Sequence, residues 1–199
     1  MAHPAADRYH RTIIPLGGGI AISATLAFFI LAGAAAMKLV LIPGRFAWLA
    51  ERANIDPADF SGKVGQLSVM LLAVFALFAL GLWDDIRRLG PFFKLAVQFA
   101  IAIVAAAFAD IRVEFFIENR LITSLFSALW IVLIVNAFNF LDNMDGLSAG
   151  VAAIAGSILF TAAAISGQVF VGGLAIVFVG ALLGFLILNF PPAKIFMGD

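Results

Sequence analysis

Residues 121–150 read LITSLFSALWIVLIVNAFNFLDNMDGLSAG. The first twenty of them carry no charge, and a helix that crosses a bilayer needs about 17–25 mostly apolar residues. Polar side chains then arrive together: Asn136, Asn139, Asp142, Asn143 and Asp145. Positions 136, 139, 142 and 145 recur every third residue, and three residues turn a helix by only about 300°. Neighbouring pairs share a face, but the four drift around an α-helix. The spacing therefore predicts a span that ends near Phe140 and gives way to a loop. Met144-Asp145-Gly146 has the composition of a turn before the next helix. Asn136 and Asn139 lie inside the apolar run, where polar groups are costly and usually functional. The ordinary alternative is a helix cap and an interhelical hydrogen bond.

The rest of the chain repeats this pattern. Of 199 residues, 64% are hydrophobic and 12% charged, against about 45–50% and about 25% in a soluble domain. Hydropathy predicts spans over 18–42, 66–82, 93–109, 121–140, 148–166 and 169–190. The expected fold class is all-α, a polytopic membrane helical bundle of about six transmembrane helices forming one domain over residues 1–199. No strand alternation of the kind a membrane barrel needs is present. With no cysteine, disulfides, thiolate metal sites and a Cys nucleophile are excluded. Zero formal net charge leaves no basic patch for nucleic acid. The opening MAHPAADRYHRTIIP is too polar for a cleavable signal peptide. His3 and His10, the only histidines, form no zinc-protease motif.

Six spans make the polar segments alternate sides. One side then receives the N-terminus, the 83–92 loop, the 139–147 loop and the C-terminal tail, and with them Asp84, Asp85, Asp142, Asp145 and Asp199. The other side receives the less patterned 43–65 and 110–120 and a short 167–168 turn. Lys and Arg are almost evenly divided, so the positive-inside rule leans only slightly toward the acid-rich side being cytoplasmic.

Four stretches on that side carry candidate chemistry. GLWDDIRRLGPFFKLAVQ (81–98) sets two adjacent acids past a span end. Such acids repel unless a divalent ion or Arg87/Arg88 relieves them. NAFNFLDNMDG (136–146) is the polar mouth already described. LILNFPPAKIFMGD (186–199) ends a span at Asn189, breaks it with Pro191-Pro192, then offers Lys194, Phe196 and Asp199. RTIIPLGGGIAI (11–22) places Arg11 and three glycines at a span entry, where glycine allows close backbone or helix approach.

In order along nearly the whole chain, HRTIIPLGGGIAI, GLWDDIRRLGPFFKLAVQ, NAFNFLDNMDGLSAG and NFPPAKIFMGD resemble the polyprenyl-phosphate N-acetylhexosamine-1-phosphate transferases. This is the glycosyltransferase family 4 type, which includes phospho-MurNAc-pentapeptide translocase and the UDP-GlcNAc:undecaprenyl-phosphate transferases. The resemblance implies transfer of a HexNAc-1-phosphate, on the GlcNAc-type branch, from a UDP-sugar to undecaprenyl or another polyprenyl phosphate with release of UMP. It implies Mg²⁺, with Mn²⁺ as a substitute, and a multi-pass protein of the plasma (inner) membrane whose site faces the cytoplasm. Its partners would be UDP-HexNAc, the lipid phosphate and, as in some relatives, a second copy in a homodimer.

Carried over by residue, Asp84 matches the acid held to deprotonate the lipid phosphate or to attack as nucleophile, with Asp85 beside it. Asp199 matches a magnesium ligand, joined by Asp142. Asn139, Asp142 and Asp145 match positions lining the nucleotide and metal pocket. Phe196 matches an aromatic against uracil, Asn189 a polar position upstream of it, Lys94 a phosphate contact and Arg11 a basic residue before the glycines. The elementary physics agrees: bringing two phosphates together requires a hard, oxygen-ligated cation and positioning. Asn143 stands where many relatives have glycine, and Ile13 and Ile14 stand where they have proline and threonine. Relatives also have a span upstream and further spans and a histidine-containing loop downstream, so the resemblance implies a partial family member. The alternatives are an intramembrane prenyltransferase using prenyl diphosphate, whose acid motifs are spaced differently, and an inactive or transport-like fragment.

Overall fold

The computed structural model describes residues 14–41, 48, 51, 57–109 and 119–198. Among them are six long helices. α1 is Gly18–Ala36, continued by a π-helical turn at Met37–Leu41. α2 is Pro57–Arg87, α3 Pro91–Phe108, α4 Arg120–Leu141, α5 Leu147–Ile165 and α6 Val169–Asn189. All six are long and apolar enough to cross a membrane: Gly18–Leu39, Val64–Arg87, Pro91–Phe108, Arg120–Leu141, Leu147–Ile165 and Val169–Asn189. Each matches an expected span. The all-helical, multi-pass architecture is thus the one hydropathy predicted.

Many large apolar side chains face outward, while a few polar ones are buried among small and aliphatic residues. Phe92 and Ile187 are 87% and 80% exposed, whereas Gln98 and Asn189 are 4% and 3% exposed. A hydrocarbon surrounding explains both halves of this pattern: apolar surface loses nothing there, and polar groups must find partners within the protein.

The chain divides into two compact units, each described by itself. One comprises residues 60–140 and therefore α2 with α3 and α4; the other comprises 1–59 and 141–198, hence α1, α5, α6 and the segment after α6. In the first, α3 and α4 meet through Ala102, Ala128 and Val132, with Phe99 and Ile131 packed against them. Thr123 and Ser127 are buried on α4. Ser127 donates its hydroxyl to the Thr123 carbonyl at 2.8 Å, within its own helix.

In the second unit α5 and α6 form a hairpin, turned by Gly167 at φ 68°. The buried face of α5 is Ser148, Ala149, Ala152, Ala153, Gly156 and Ala163. These small residues let the backbones approach; a Cβ at Gly156 would come 2.8 Å from Val179 Cγ2 on α6. Gly18 on α1 is closer still, since a Cβ there would overlap the Phe185 ring of α6.

One boundary differs from expectation in a way that bears on the site. The second span was expected to end at 82 with a loop over 83–92, but α2 runs to Arg87, so Asp84 and Asp85 belong to its last turns. Charged residues continue a helix past the apolar zone because backbone hydrogen bonding does not depend on hydropathy. The chain leaves α2 through Arg88, which takes a left-handed conformation at φ 47°, a common exit at helix ends. Pro91 then opens α3 at its first turn, where its missing N–H costs nothing.

Candidate functional site

Asp84 organises the α2–α3 corner. Its Oδ1 accepts the Leu89 N–H at 2.6 Å, and its Oδ2 accepts Lys94 Nζ at 2.8 Å. The Asp84 and Lys94 side chains are only 15% and 14% exposed, so this ion pair is better shielded than a surface bridge. Asp85 is exposed, as are Arg87 and Arg88. Lys94, ten residues on along the chain, is a cation seated on Asp84. One residue advances a helix by about 100°, so Asp84 and Asp85 point in different directions.

The second polar group lies in the other unit, around the turn that leads into α5. Gly146 adopts φ 73°, the left-handed region, and closes the turn as the sequence predicts. Its N–H donates to Asn189 Oδ1 at 2.9 Å, and Asn189 Nδ2 donates to the Ile195 carbonyl at 2.9 Å. Asp145 Oδ2 accepts the Ala193 N–H at 2.9 Å. Two side chains thus fasten the segment after α6, which follows a cis Pro191–Pro192 bond, to the start of α5. Asp142 is half-buried in the same turn.

That segment is also tied to the entry of α1. Leu16 and Phe196 form a parallel bridge. Phe196 N donates to the Pro15 carbonyl at 3.0 Å, while Gly17 and Gly18 donate to the Phe196 carbonyl at 3.2 and 2.9 Å. Gly19 N reaches the Met197 carbonyl at 2.9 Å. These bonds satisfy first-turn N–H groups that a helix leaves without partners. A Cβ at Gly19 would lie 3.0 Å from that Met197 oxygen, so the glycines at the entry of α1 serve both backbone approach and helix packing. The Phe196 side chain is half-buried.

Of the remaining candidates, Asn139 is exposed near the end of α4. Asn136 makes an interhelical hydrogen bond, Nδ2 to Gln98 Oε1 at 2.7 Å, and a second to the Val132 carbonyl at 2.8 Å. Gln98, Leu89 and Ala193 were not singled out from the sequence. A lone amide in an apolar span is a signal that marks Gln98; the backbone donors of Leu89 and Ala193 leave no sequence trace. Arg11 and Asp199 lie outside the described residues. Among the described residues no three acid or imidazole side chains stand close enough to hold an ion.

Compared with known proteins, residues 67–199 match the model of glycosyl transferase family 4. The chain belongs to that family. It is 34% identical over 143 residues to a "probable undecaprenyl-phosphate N-acetylglucosaminyl 1-phosphate transferase" of Bacillus subtilis (strain 168), covering 67% of this chain and 39% of the relative. It is 35% identical over 147 residues to a phospho-N-acetylmuramoyl-pentapeptide-transferase of Limosilactobacillus fermentum, covering 68% and 46%. A third relative, an undecaprenyl-phosphate alpha-N-acetylglucosaminyl 1-phosphate transferase of Thermotoga maritima, is 35% identical over 123 residues, covering 62% and 37%. The chain thus spans less than half the length of each of these relatives. The family 4 matched region contains Asp84, Lys94, Gln98, the 136–146 stretch and the segment after α6.

Proposed function

We propose that this family 4 chain takes part in transferring a HexNAc-1-phosphate, GlcNAc-1-phosphate first among candidates, from a UDP-sugar to a polyprenyl phosphate. The observation that carries the reading is the shielded Asp84–Lys94 pair within a region matched to the family. An oxygen of the lipid phosphate attacks the sugar-bearing phosphorus. A new P–O–P link forms, the bond to the bridging oxygen breaks, and UMP leaves with that oxygen. The product is a polyprenyl diphosphate sugar.

Two phosphate-bearing substrates repel each other, so the work is chiefly positioning and charge stabilisation. Lys94 brings an ammonium to the corner where Asp84 fixes it, and that charge draws a phosphate. Asp84 serves as the proton acceptor for the lipid phosphate or as nucleophile. Hydrogen bonds at both of its oxygens hold its orientation in either role. Asp145 and Asn189 shape the turn that presents Asp142 to the nucleotide, and Asn139, at the end of α4, is a further nucleotide contact. Phe196, held by its backbone to the entry of α1, stacks on uracil, and Arg11 adds a cation to the same substrate.

The donor set assigned to the metal, the carboxylates of Asp142 and Asp199, is all oxygen and suits Mg²⁺. Magnesium needs only one or two protein carboxylates when substrate phosphates complete its shell, so the lack of a three-acid cluster among the described residues does not conflict with it. Bound there, it would supply neutralisation of the diphosphate. The orientation proposed has this chemistry at the cytoplasmic face of the plasma membrane, where a UDP-sugar is available.

The test is UMP release by the protein in membranes, given UDP-GlcNAc with and without undecaprenyl phosphate. UMP is expected only with both substrates, together with sugar label in the lipid fraction. UMP that accumulates equally without the lipid, or label that never enters it, defeats the reading.

A further inference from the structure

Gln98 sits within the third span and is 4% exposed. A primary amide in such a place is costly unless it is paired. Its Oε1 accepts Asn136 Nδ2 across 38 residues, joining α3 to α4. Asn136 anchors the bond on its own helix, because the same Nδ2 also donates to the Val132 carbonyl. Gln98 lies four residues after Lys94, one turn along the same face of α3. Lys94 in turn holds Asp84 at the end of α2.

The rest of the α3–α4 contact gives little resistance to sliding. At its buried centre Ala102 meets Ala128 and Val132, and the bulkier Phe99 and Ile131 pack only from its margin, so the small residues at the centre leave neighbouring registers close in energy. A hydrogen bond between two side chains of fixed length fits at one register only. Where hydrocarbon surrounds the helices, no hydrophobic force restores the correct one.

We infer that the Gln98–Asn136 amide pair sets the register and rotation of α3 against α4 and thereby positions Lys94 against Asp84. Its catalytic consequence rests on the proposed transferase reading; its structural consequence does not. Gln98 and Asn136 act through Lys94 and are positioning residues.

Two readouts separate these levels. The first is the acylation rate of Lys94 by a small amine-reactive reagent, followed by mass spectrometry and divided by the rate at Lys194, which is exposed in the other unit. The second is UMP release. Gln98→Leu and Asn136→Leu are each expected to raise the Lys94/Lys194 ratio about 3- to 10-fold, the scale of one interhelical hydrogen bond. UMP release should fall with it. The exchange variant Gln98→Asn/Asn136→Gln keeps the combined length and should return both readouts to within about twofold of the unaltered protein.

An unchanged ratio in the two leucine variants overturns the inference. So does a parallel rise at both lysines, which reports general loosening, or an exchange variant as reactive as the single ones. A restored ratio in a protein that releases no UMP even when unaltered removes the transferase reading and leaves the register assignment standing.

Discussion

Lys94 Nζ lies 2.8 Å from Asp84 Oδ2, and this contact joins the end of α2 to the first turn of α3. The other carboxylate oxygen caps the exit of α2 at Leu89. One side chain therefore shapes the corner and fixes a cation there. The two tasks differ in what they require: capping needs an acceptor, whereas holding an ammonium in place needs a charge.

Asp84→Asn separates them. The amide oxygen still accepts from Leu89, so thermal stability in detergent should fall only by what the lost ion pair with Lys94 contributes. The negative charge is lost, and UMP release should fall by about 100-fold or more, the usual weight of a proton-transfer group. Asp84→Ala should lose activity and also lower the melting temperature. An Asn variant that keeps more than about a tenth of the activity would exclude a direct part for Asp84 in the chemistry.

Asn189 tests the other polar group. It is 3% exposed and bonds Gly146 N and the Ile195 carbonyl. Asn189→Ala leaves both backbone groups without that partner, at about 1–3 kcal/mol each. For a chain of this size each kcal/mol lowers the melting temperature by about 2–4 °C. Asn189→Asp keeps the acceptor for Gly146 but turns a carboxylate oxygen toward the Ile195 carbonyl, so it should melt no higher than the alanine variant. An aspartate variant as stable as the original would rule out the Ile195 bond.

How much of this could be read from the sequence follows from what each feature depends on. The six spans were legible because an uncharged apolar run of twenty residues, such as 121–140, is too long for a strand and too oily for a loop. The turn at Gly146 and the break at Pro191-Pro192 were legible because those residues have restricted backbone roles. The end of α2 was not, since hydropathy locates the membrane and a helix stops where its hydrogen bonds do. The pairing of Leu16 with Phe196 was hidden as well, because backbone bonds between distant segments impose no residue pattern. Asp84, Lys94, Asp145 and Asn189 could each be named from the sequence. Their partners could not, and the identity of those partners distinguishes a residue that shapes a turn from one that meets substrate.

The Mg²⁺ site proposed at Asp142 and Asp199 is tested by removing the ion. A chelator in excess should abolish UMP release, and added Mg²⁺ should restore it. Asp142→Asn should raise the Mg²⁺ concentration needed for half-maximal rate by about 10-fold or more, the scale seen when a metal site's surroundings are altered. Full activity in chelator would remove the ion from the reaction, and an unchanged requirement in Asp142→Asn would remove Asp142 from its shell.

The packing of α1 on α6 gives a test that needs no substrate. A Cβ at Gly18 would overlap the Phe185 ring, which is itself buried. Gly18→Ala should therefore destabilise by about 1–3 kcal/mol through overpacking, although alanine is the better helix former. Phe185→Leu alone should also destabilise, by removing ring contacts. Combined, the smaller side chain makes room for the new methyl, so the double variant should lose less than the two single losses added together. A thermal double-mutant cycle in detergent measures this directly. Strict additivity would mean that Gly18 and Phe185 do not touch, and the close approach of α1 to α6 would have to be abandoned.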